Sequence, residues 1–497
     1  MISIITAAML LFCSCAPVGD VVDYHDELIK SDGVWYAPGE DSGESDLDVA
    51  DGSELLSQEP ETPSDASQDS AVQTAANASA PYSSAKNSAA ATSSKKQSSS
   101  SKTAATSKTT TTTTSKAATT TTTTTTTTSS YTPTYFSSNT KAVWISQWNL
   151  QSVFSSNKTK SSFETAVKNI FKKAKDYGFN TVIVQLRPYG DAFYPSNYYP
   201  WSYFVTGTVD NAPSFDPTDV MVSAAHAYGL SFHAWLNPLR LGTTDKMNAT
   251  SSKWQTKKWY TNNKGDYVVQ SGSYWYLNPA YEQTRQLVIN GAVEIMQKYK
   301  VDALHIDDYF YPTTAASFDA TAYKSLGGGK TLKAWRTDNI NKLVKGIYSA
   351  IKAKNSKIKF GISPAGNIDN CVYDMYADVI TWGKSSGYMD YCMPQIYYGY
   401  KHSSLDYLKC LNRWKTTVTN SSIQLIPGLA AYKIGYTSDG GSNEWSTDNT
   451  ILQRQVQDAK SVLGSRYGGF AIFDYDSIFS TAALNTAQRN NLAKVIK

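Results

Sequence analysis

From Tyr135 onward, short unbroken apolar runs alternate with longer stretches whose apolar positions recur at helical spacing. Lys141 to Gln147 reads as a first strand. A helix follows over Phe163 to Tyr177, with Phe163, Val167, Ile170, Phe171 and Ala174 on one face and Gly178 as its stop. Asn180 to Arg187 is a second strand. Asp216 and Pro217 then open a helix to Tyr228, Asp as N-cap and Pro at the first helical position. The remaining strands are Leu230 to Asn237, Val301 to Asp307, Ile358 to Ser363, Met389 to Gln395, Ile423 to Gly428 and Gly469 to Asp474. Between and after them lie helical patterns over Tyr281 to Lys298, Trp335 to Lys354, Tyr373 to Ser385, Leu405 to Thr417, Thr450 to Leu463 and Thr486 to Ile496.

Eight β-then-α units over residues 135–497 predict an α/β fold, a (β/α)8 TIM barrel. Runs without strict alternation suit a parallel sheet covered on both faces. A doubly wound open sheet is the structural alternative. It usually carries a Gly-rich phosphate loop after its first strand, and Gln147-Trp148-Asn149-Leu150 is nothing like one.

Residues 1–130 follow different rules. Ile2 to Cys15 is apolar, of the length of a signal-peptide core and too short to span a bilayer. Residues 1–19 are therefore expected to be a leader. Ser14-Cys15 resembles a lipoprotein processing site, with Cys15 as the lipidated residue; an ordinary secretion signal is the other reading. Residues 20–130 are acidic up to Glu61 and then almost all Ser, Thr, Ala and Lys, with Thr unbroken from 119 to 128. Such a segment cannot offset its chain entropy by burial, so a disordered tether is expected. Its Ser/Thr density resembles an O-glycosylated stalk. Together these segments imply an extracellular or cell-envelope location, with membrane contact only through a lipid anchor.

Composition narrows the chemistry. A net charge of +4 in 497 residues argues against a nucleic-acid partner. Aromatics make up 12%, including 34 Tyr and 12 Trp. Flat rings stack on the apolar faces of sugars, although a large aromatic core has the same composition. None of the five cysteines has zinc-site spacing; Cys392 reads as a buried strand residue, and a Cys371–Cys410 disulfide stays open. No metal and no cofactor are expected.

In such a barrel, chemistry sits where the strands end. Those ends present Trp148, Gln185, Arg187, Asn237, Arg240, His305, Asp307, Asp308, Tyr309, Asn367, Gln395, Tyr397 and Asp474. The set is polar, hydrogen-bonding and aromatic, which suits a polyhydroxylated ligand. Residues 188–214 and 238–278 are aromatic-rich loops, expected to wall an extended cleft or to pack on each other as lids.

The runs Lys141-Ala-Val-Trp-Ile-Ser, Asn180 to Pro188, His233-Ala-Trp-Leu-Asn237, Asp302 to Pro312, Phe360-Gly-Ile-Ser-Pro364 and Met393-Pro-Gln-Ile-Tyr-Tyr398 resemble the bacterial glycosyl-hydrolase-like 10 proteins over residues 138 to 480. The resemblance implies a (β/α)8 barrel and hydrolysis of a polysaccharide, with peptidoglycan glycan strands without stem peptides as the substrate class it suggests. A more distant likeness to chitinase-type barrels aligns Asp302, His305 and Asp307 with that signature. Tyr309 stands where its catalytic Glu would be.

Glycoside cleavage needs a proton donor and a second group at the anomeric carbon. Asp307 or Asp308 is the candidate acid, because adjacent carboxylates resist joint ionisation. Asp474 is the candidate partner, with Asp191 and Glu444 as loop candidates. The remaining strand-end residues are assigned to substrate binding. Arg187 and Arg240 suit a substrate carboxylate or an ion pair with a catalytic Asp. His305 either orients such a group or is a satisfied barrel-interior residue. Two other classes compete: a barrel that holds cell-wall glycan without cutting it, favoured by Tyr309, and a metal hydrolase built on His233, His305, Asp307 and Asp308.

Overall fold

The computed structural model describes residues 131–496 and the backbone of two short strands, Ile29–Ser31 and Val34–Tyr36, which pair antiparallel within the expected tether. The expected leader with Cys15, the rest of the expected tether and its Thr-rich run lie outside the described residues.

Eight parallel strands form the barrel wall. In order they are Thr140–Ile145, Thr181–Arg187, Ser231–Leu236, Ala303–Ile306, Lys359–Ile362, Tyr391–Cys392, a split seventh strand and Gly469–Phe473. Each pairs with the one before it, and the eighth returns to the first with Gly469 opposite Thr140. The seventh strand is two pieces, Gln424–Leu425 against the sixth strand and Gly428–Ala430 against the eighth. Pro427 lies between them. It has no N–H to give to a ladder, so the strand breaks there while the wall continues around it. The sixth strand is shorter than expected, but Gln395 still bridges to both Ala365 and Gly428.

The helices start where local chemistry says they should. Asp216 caps Pro217–Ala227 by accepting from the amides of Thr218 and Asp219. Ser146 and Asn149 form a reciprocal capping box that opens Gln147–Ser156, a helix absent from the sequence reading. The expected helix Tyr373 to Ser385 is corrected to two, Ile368–Tyr373 and Val379–Lys384, separated by Tyr376 at φ 55°.

The segment after the third strand is also corrected. It is no structureless loop but carries the antiparallel strands Arg240–Thr243, Tyr274–Leu277 and Val268–Ser271, with helices Thr244–Ala249 and Gln255–Asn262. Trp259, Tyr260, Tyr274, Trp275 and Tyr276 are buried there, and their rings join the insertion to the main core between barrel and helices. Cys371, Cys392 and Cys410 are free and buried, which removes the disulfide alternative.

The barrel interior is filled rather than hollow. Trp144, Ile183, Trp235, Tyr391, Met393 and Ile426 pack together inside it. Tyr391 lies so close to the fifth strand that a Cβ on Gly361 would come within 1.9 Å of its ring, so only glycine fits. Trp144 donates from its indole N–H to His305 Nε2 at 3.4 Å. His305 Nδ1 meets the Tyr391 hydroxyl at 3.2 Å, and that hydroxyl meets His233 Nδ1 at 3.0 Å. Since Nε2 of His305 accepts, its proton sits on Nδ1, and the Tyr391 hydroxyl is left to donate to His233. Burial pushes the pKa of His233 down to about 4 and that of His305 further below its ordinary value, so both rings are neutral. Both ring nitrogens of His305 are thus committed inside the barrel.

Candidate active site

The fourth strand leaves its ladder at Ile306, whose carbonyl accepts from Ser363. Asp307 and Asp308 therefore lie beyond the pleat, and strand alternation no longer forces them to opposite faces. Phe310 N–H donates to the Asp308 carbonyl at 2.7 Å, turning the chain immediately after the pair.

Asp307 is only 4% exposed. Its Oδ2 accepts from the Trp235 indole at 2.8 Å, and its Oδ1 accepts a longer bond, 3.4 Å, from the Tyr309 amide. Burial and then the neighbouring Asp308 push its pKa up to about 7, against the opposing pull of Trp235 and Arg240. Asp308 is partly exposed. Desolvation lifts its pKa to about 6, while the Gln395 amide and Arg240 favour the ionised form. Gln395 also donates to the Ser363 carbonyl at 3.0 Å, which fixes its head against the fifth strand. Two carboxyls that both titrate near neutrality thus stand side by side at the barrel mouth.

Arg240 lies beside this pair. Its guanidinium sits over the rings of Tyr309, Tyr189 and Tyr274, at 3.9, 4.4 and 5.5 Å from their centroids. Asn237 Oδ1 accepts from the Arg240 amide at 3.1 Å. Arg187 donates to the Asn237 carbonyl at 2.7 Å and covers the Tyr199 ring at 4.5 Å, bracing the wall from behind. Gln185 accepts from the Gln147 amide at 3.2 Å, and Trp148 stands edge-on to Phe204 at 5.0 Å. On the other side, Tyr397, Tyr432 and Phe473 form a cluster with centroids 5.7 to 5.9 Å apart. A small pocket opens between the two long segments, lined by Tyr189, Trp201, Tyr203, Leu241, Lys246 and Met247.

Several strand-end candidates have other employment. Asp474 caps Tyr475–Phe479: Oδ1 accepts from Ser477 N–H at 3.1 Å and from its hydroxyl at 2.6 Å, and Oδ2 accepts from Asn149 at 2.8 Å. Asn367 caps Ile368–Tyr373 through the Asp369 amide. Glu444 is buried and accepts from the Lys401 amide, and Asp191 from the Tyr189 amide. Asp302 is at the opposite end of the fourth strand, held by Tyr131, His226 and the Phe232 amide, each at 2.9 Å.

Three residues of the site escaped the sequence reading. Trp235 lies in the third strand opposite His305, two positions before Asn237, and inward alternation from Asn237 would have found it. Tyr274 needs the insertion's fold. Phe473 ends the eighth strand, one residue short of the Asp474 that drew attention.

The family model for glycosyl hydrolase-like 10 proteins matches residues 139–447. The chain is 34% identical over 324 residues to glycosyl hydrolase YngK of Bacillus subtilis (strain 168), covering 60% of this chain and 62% of that protein. It is 32% identical over 340 residues to glycosyl hydrolase DigH of Escherichia coli (strain K12), covering 59% and 77%. The chain therefore spans less than two thirds of the first relative's length. Among solved structures, the PgaB (BpsB) glycoside hydrolase domain from Bordetella bronchiseptica is 13% identical with a TM-score of 0.44, covering 71% of this chain and 99% of that one.

Proposed function

The chain belongs to the glycosyl hydrolase-like 10 family, and from that premise we propose that it hydrolyses glycosidic bonds in a cell-wall glycan, the glycan strands of peptidoglycan. The observation that carries the reading is the Asp307–Asp308 pair at the barrel mouth, with pKa values of about 7 and about 6. A glycosidase acid must hold its proton near neutral pH, and its partner must be ionised under the same conditions. Between those two values one proton is held by the pair.

In this mechanism Asp307, the weaker acid, protonates the leaving oxygen. Trp235 and Tyr309 then stabilise the carboxylate that forms. Asp308, held ionised by Gln395 and Arg240, balances the positive charge that develops at the anomeric carbon; a water molecule adds there and gives its proton to the Asp307 carboxylate, which restores the acid. The engagement of both Asp474 oxygens with Ser477 and Asn149 supports Asp308 over Asp474 as the second group. Tyr397, Tyr432 and Trp148 supply stacking faces for the sugar rings. The same proposal puts the barrel outside the cytoplasm, held through Cys15; the apolar Ile2 to Cys15 run and the Ser/Thr tract support it.

The test is digestion of amidase-stripped peptidoglycan and of chitin oligomers by the full chain, with products read by mass spectrometry. Release of peptide-free saccharides from the first supports the proposal. Retention of glycan on the protein with no product from either substrate would make it a binding barrel instead.

A further inference from the structure

Residues 188–214 and 238–278 pack on each other and still leave an open pocket between them. Tyr189, Trp201 and Tyr203 wall it from the first segment, Leu241 and Met247 from the second. Leu241 and Met247 are buried, whereas the three rings are half-buried and reach solvent. Gly190 and Gly242 also line the space. Gly190 sits at φ 66°, and a Cβ there would come within 2.3 Å of Leu241; a Cβ on Gly242 would come within 2.7 Å of Lys246. Glycine at both positions lets the two segments approach this closely. The pocket has room for about two or three water molecules. That is the size of an acetamido group and too little for a sugar ring.

Two charged side chains line the same, mostly apolar space. Asp191 is only 8% exposed; its Oδ1 accepts from the Tyr189 amide at 2.9 Å, and burial raises its pKa. The Lys246 ammonium stands over the Tyr203 ring at 3.3 Å. Among the described residues the two do not form an ion pair with each other. A carboxyl and an ammonium held apart between apolar walls match a group that is donor and acceptor at once. An acetamido group is of that kind. Its N–H suits the carboxyl, its C=O the ammonium and its methyl the aromatic walls. An ester has no N–H to give, and a hydroxyl has no methyl to bury.

The pocket adjoins the barrel mouth. Tyr189, which walls it, lies under the Arg240 guanidinium at 4.4 Å, and Arg240 covers Tyr309 at 3.9 Å, directly after the carboxyl pair. We propose that this pocket is a subsite for the N-acetyl group of a sugar that flanks the cleaved bond, so that the cleft selects 2-acetamido sugars over sugars with a bare hydroxyl at C2. The proposal rests on the glycosidase reading for its setting and adds the substituent that is read and the residues that read it.

The test is calorimetric binding to the full chain of chitotetraose, cellotetraose, 6-O-acetylated cellotetraose and the N-butanoyl analogue of chitotetraose. Chitotetraose is expected to bind at least about tenfold tighter than cellotetraose, the scale of one buried methyl and one hydrogen bond. The N-butanoyl analogue overfills the space and is expected to fall back to the cellotetraose level. Val209 is half-buried and lines the pocket. Val209→Phe fills the space and should abolish the preference while cellotetraose binding stays within about threefold. Trp201→Leu removes a wall, should weaken the preference in the same direction, and replaces Val209→Phe if that variant does not fold. Equal affinity of the wild type for chitotetraose and cellotetraose overturns the proposal, as does a preference that survives in the folded variant. N-butanoyl binding as tight as N-acetyl would show that no closed pocket reads the group, and tighter binding of the 6-O-acetyl ester would show that the N–H is not read; either result also overturns it. Binding is read without cleavage, so an intact preference with no hydrolysis defeats only the glycosidase reading.

Discussion

The Trp235 indole donates to Asp307 Oδ2 at 2.8 Å and ties the third strand to the fourth at the barrel mouth. This bond favours the ionised carboxylate and works against burial, which raises the Asp307 pKa. Trp235→Phe keeps a ring in place and removes the donor. The Asp307 pKa is then expected to rise, and the alkaline limb of the pH–rate profile to move up with it. A profile of kcat/KM for the variant that coincides with the wild type would contradict the assigned role.

Asp307 and Asp308 are expected to respond differently to the same change. If Asp307 is the acid, activity falls as pH rises through about 7; if Asp308 acts ionised, it falls as pH drops through about 6. The optimum therefore lies between those values. Asp307→Asn should cost roughly 10²–10⁴-fold on a natural glycan, the usual scale of general acid catalysis, and recover substantially on an aryl glycoside whose leaving group needs no proton. Asp308→Asn should be impaired on both. Equal loss on both substrates for both variants would remove the division of labour.

Much of this was legible in the sequence, and the exceptions have physical causes. The barrel showed through because parallel strands covered on both faces leave continuous apolar runs, and caps such as Asp216-Pro217 mark where helices begin. The strands of the insertion were missed although Gly272-Ser273 lies between Val268–Ser271 and Tyr274–Leu277, a two-residue hairpin signal hidden among aromatics. Tyr376 at positive φ splits a helix with no glycine to announce it. Asp307 and Asp308 could be found because they end a strand. The contacts of Arg240 could not, because Tyr189, Tyr274 and Tyr309 come from three separate segments.

Arg336 secures the loop beyond the carboxyl pair. It is wholly buried, meets both Asp319 oxygens at 2.7 to 3.2 Å, and donates to the carbonyls of Thr313, Thr314 and Ala315. Removing one partner strands a buried charge, which costs about 3–5 kcal/mol. Arg336→Leu is expected to lower stability by that order in urea unfolding and to reduce kcat by releasing residues 313–319. Asp319→Asn should destabilise in the same direction. A midpoint within error of the wild type for both would show the pair to be dispensable.

Stability should also record what the raised Asp307 pKa costs the fold. Its folded value of about 7 lies above the ordinary Asp value of 3.8, so the native state binds more protons than the unfolded chain between them. Unfolding free energy therefore falls as pH rises through that window, and above about 7 the whole penalty of a buried carboxylate is present. Asp307→Asn removes that charge. The variant is expected to match the wild type near pH 4 and to exceed it at pH 8, by up to about 4 kcal/mol if the Asn keeps the Trp235 contact. Thermal and urea unfolding of both proteins across pH 4 to 8 measures the difference. A gap that stays constant with pH would mean that Asp307 does not titrate in this range, and the general-acid role would fall with it.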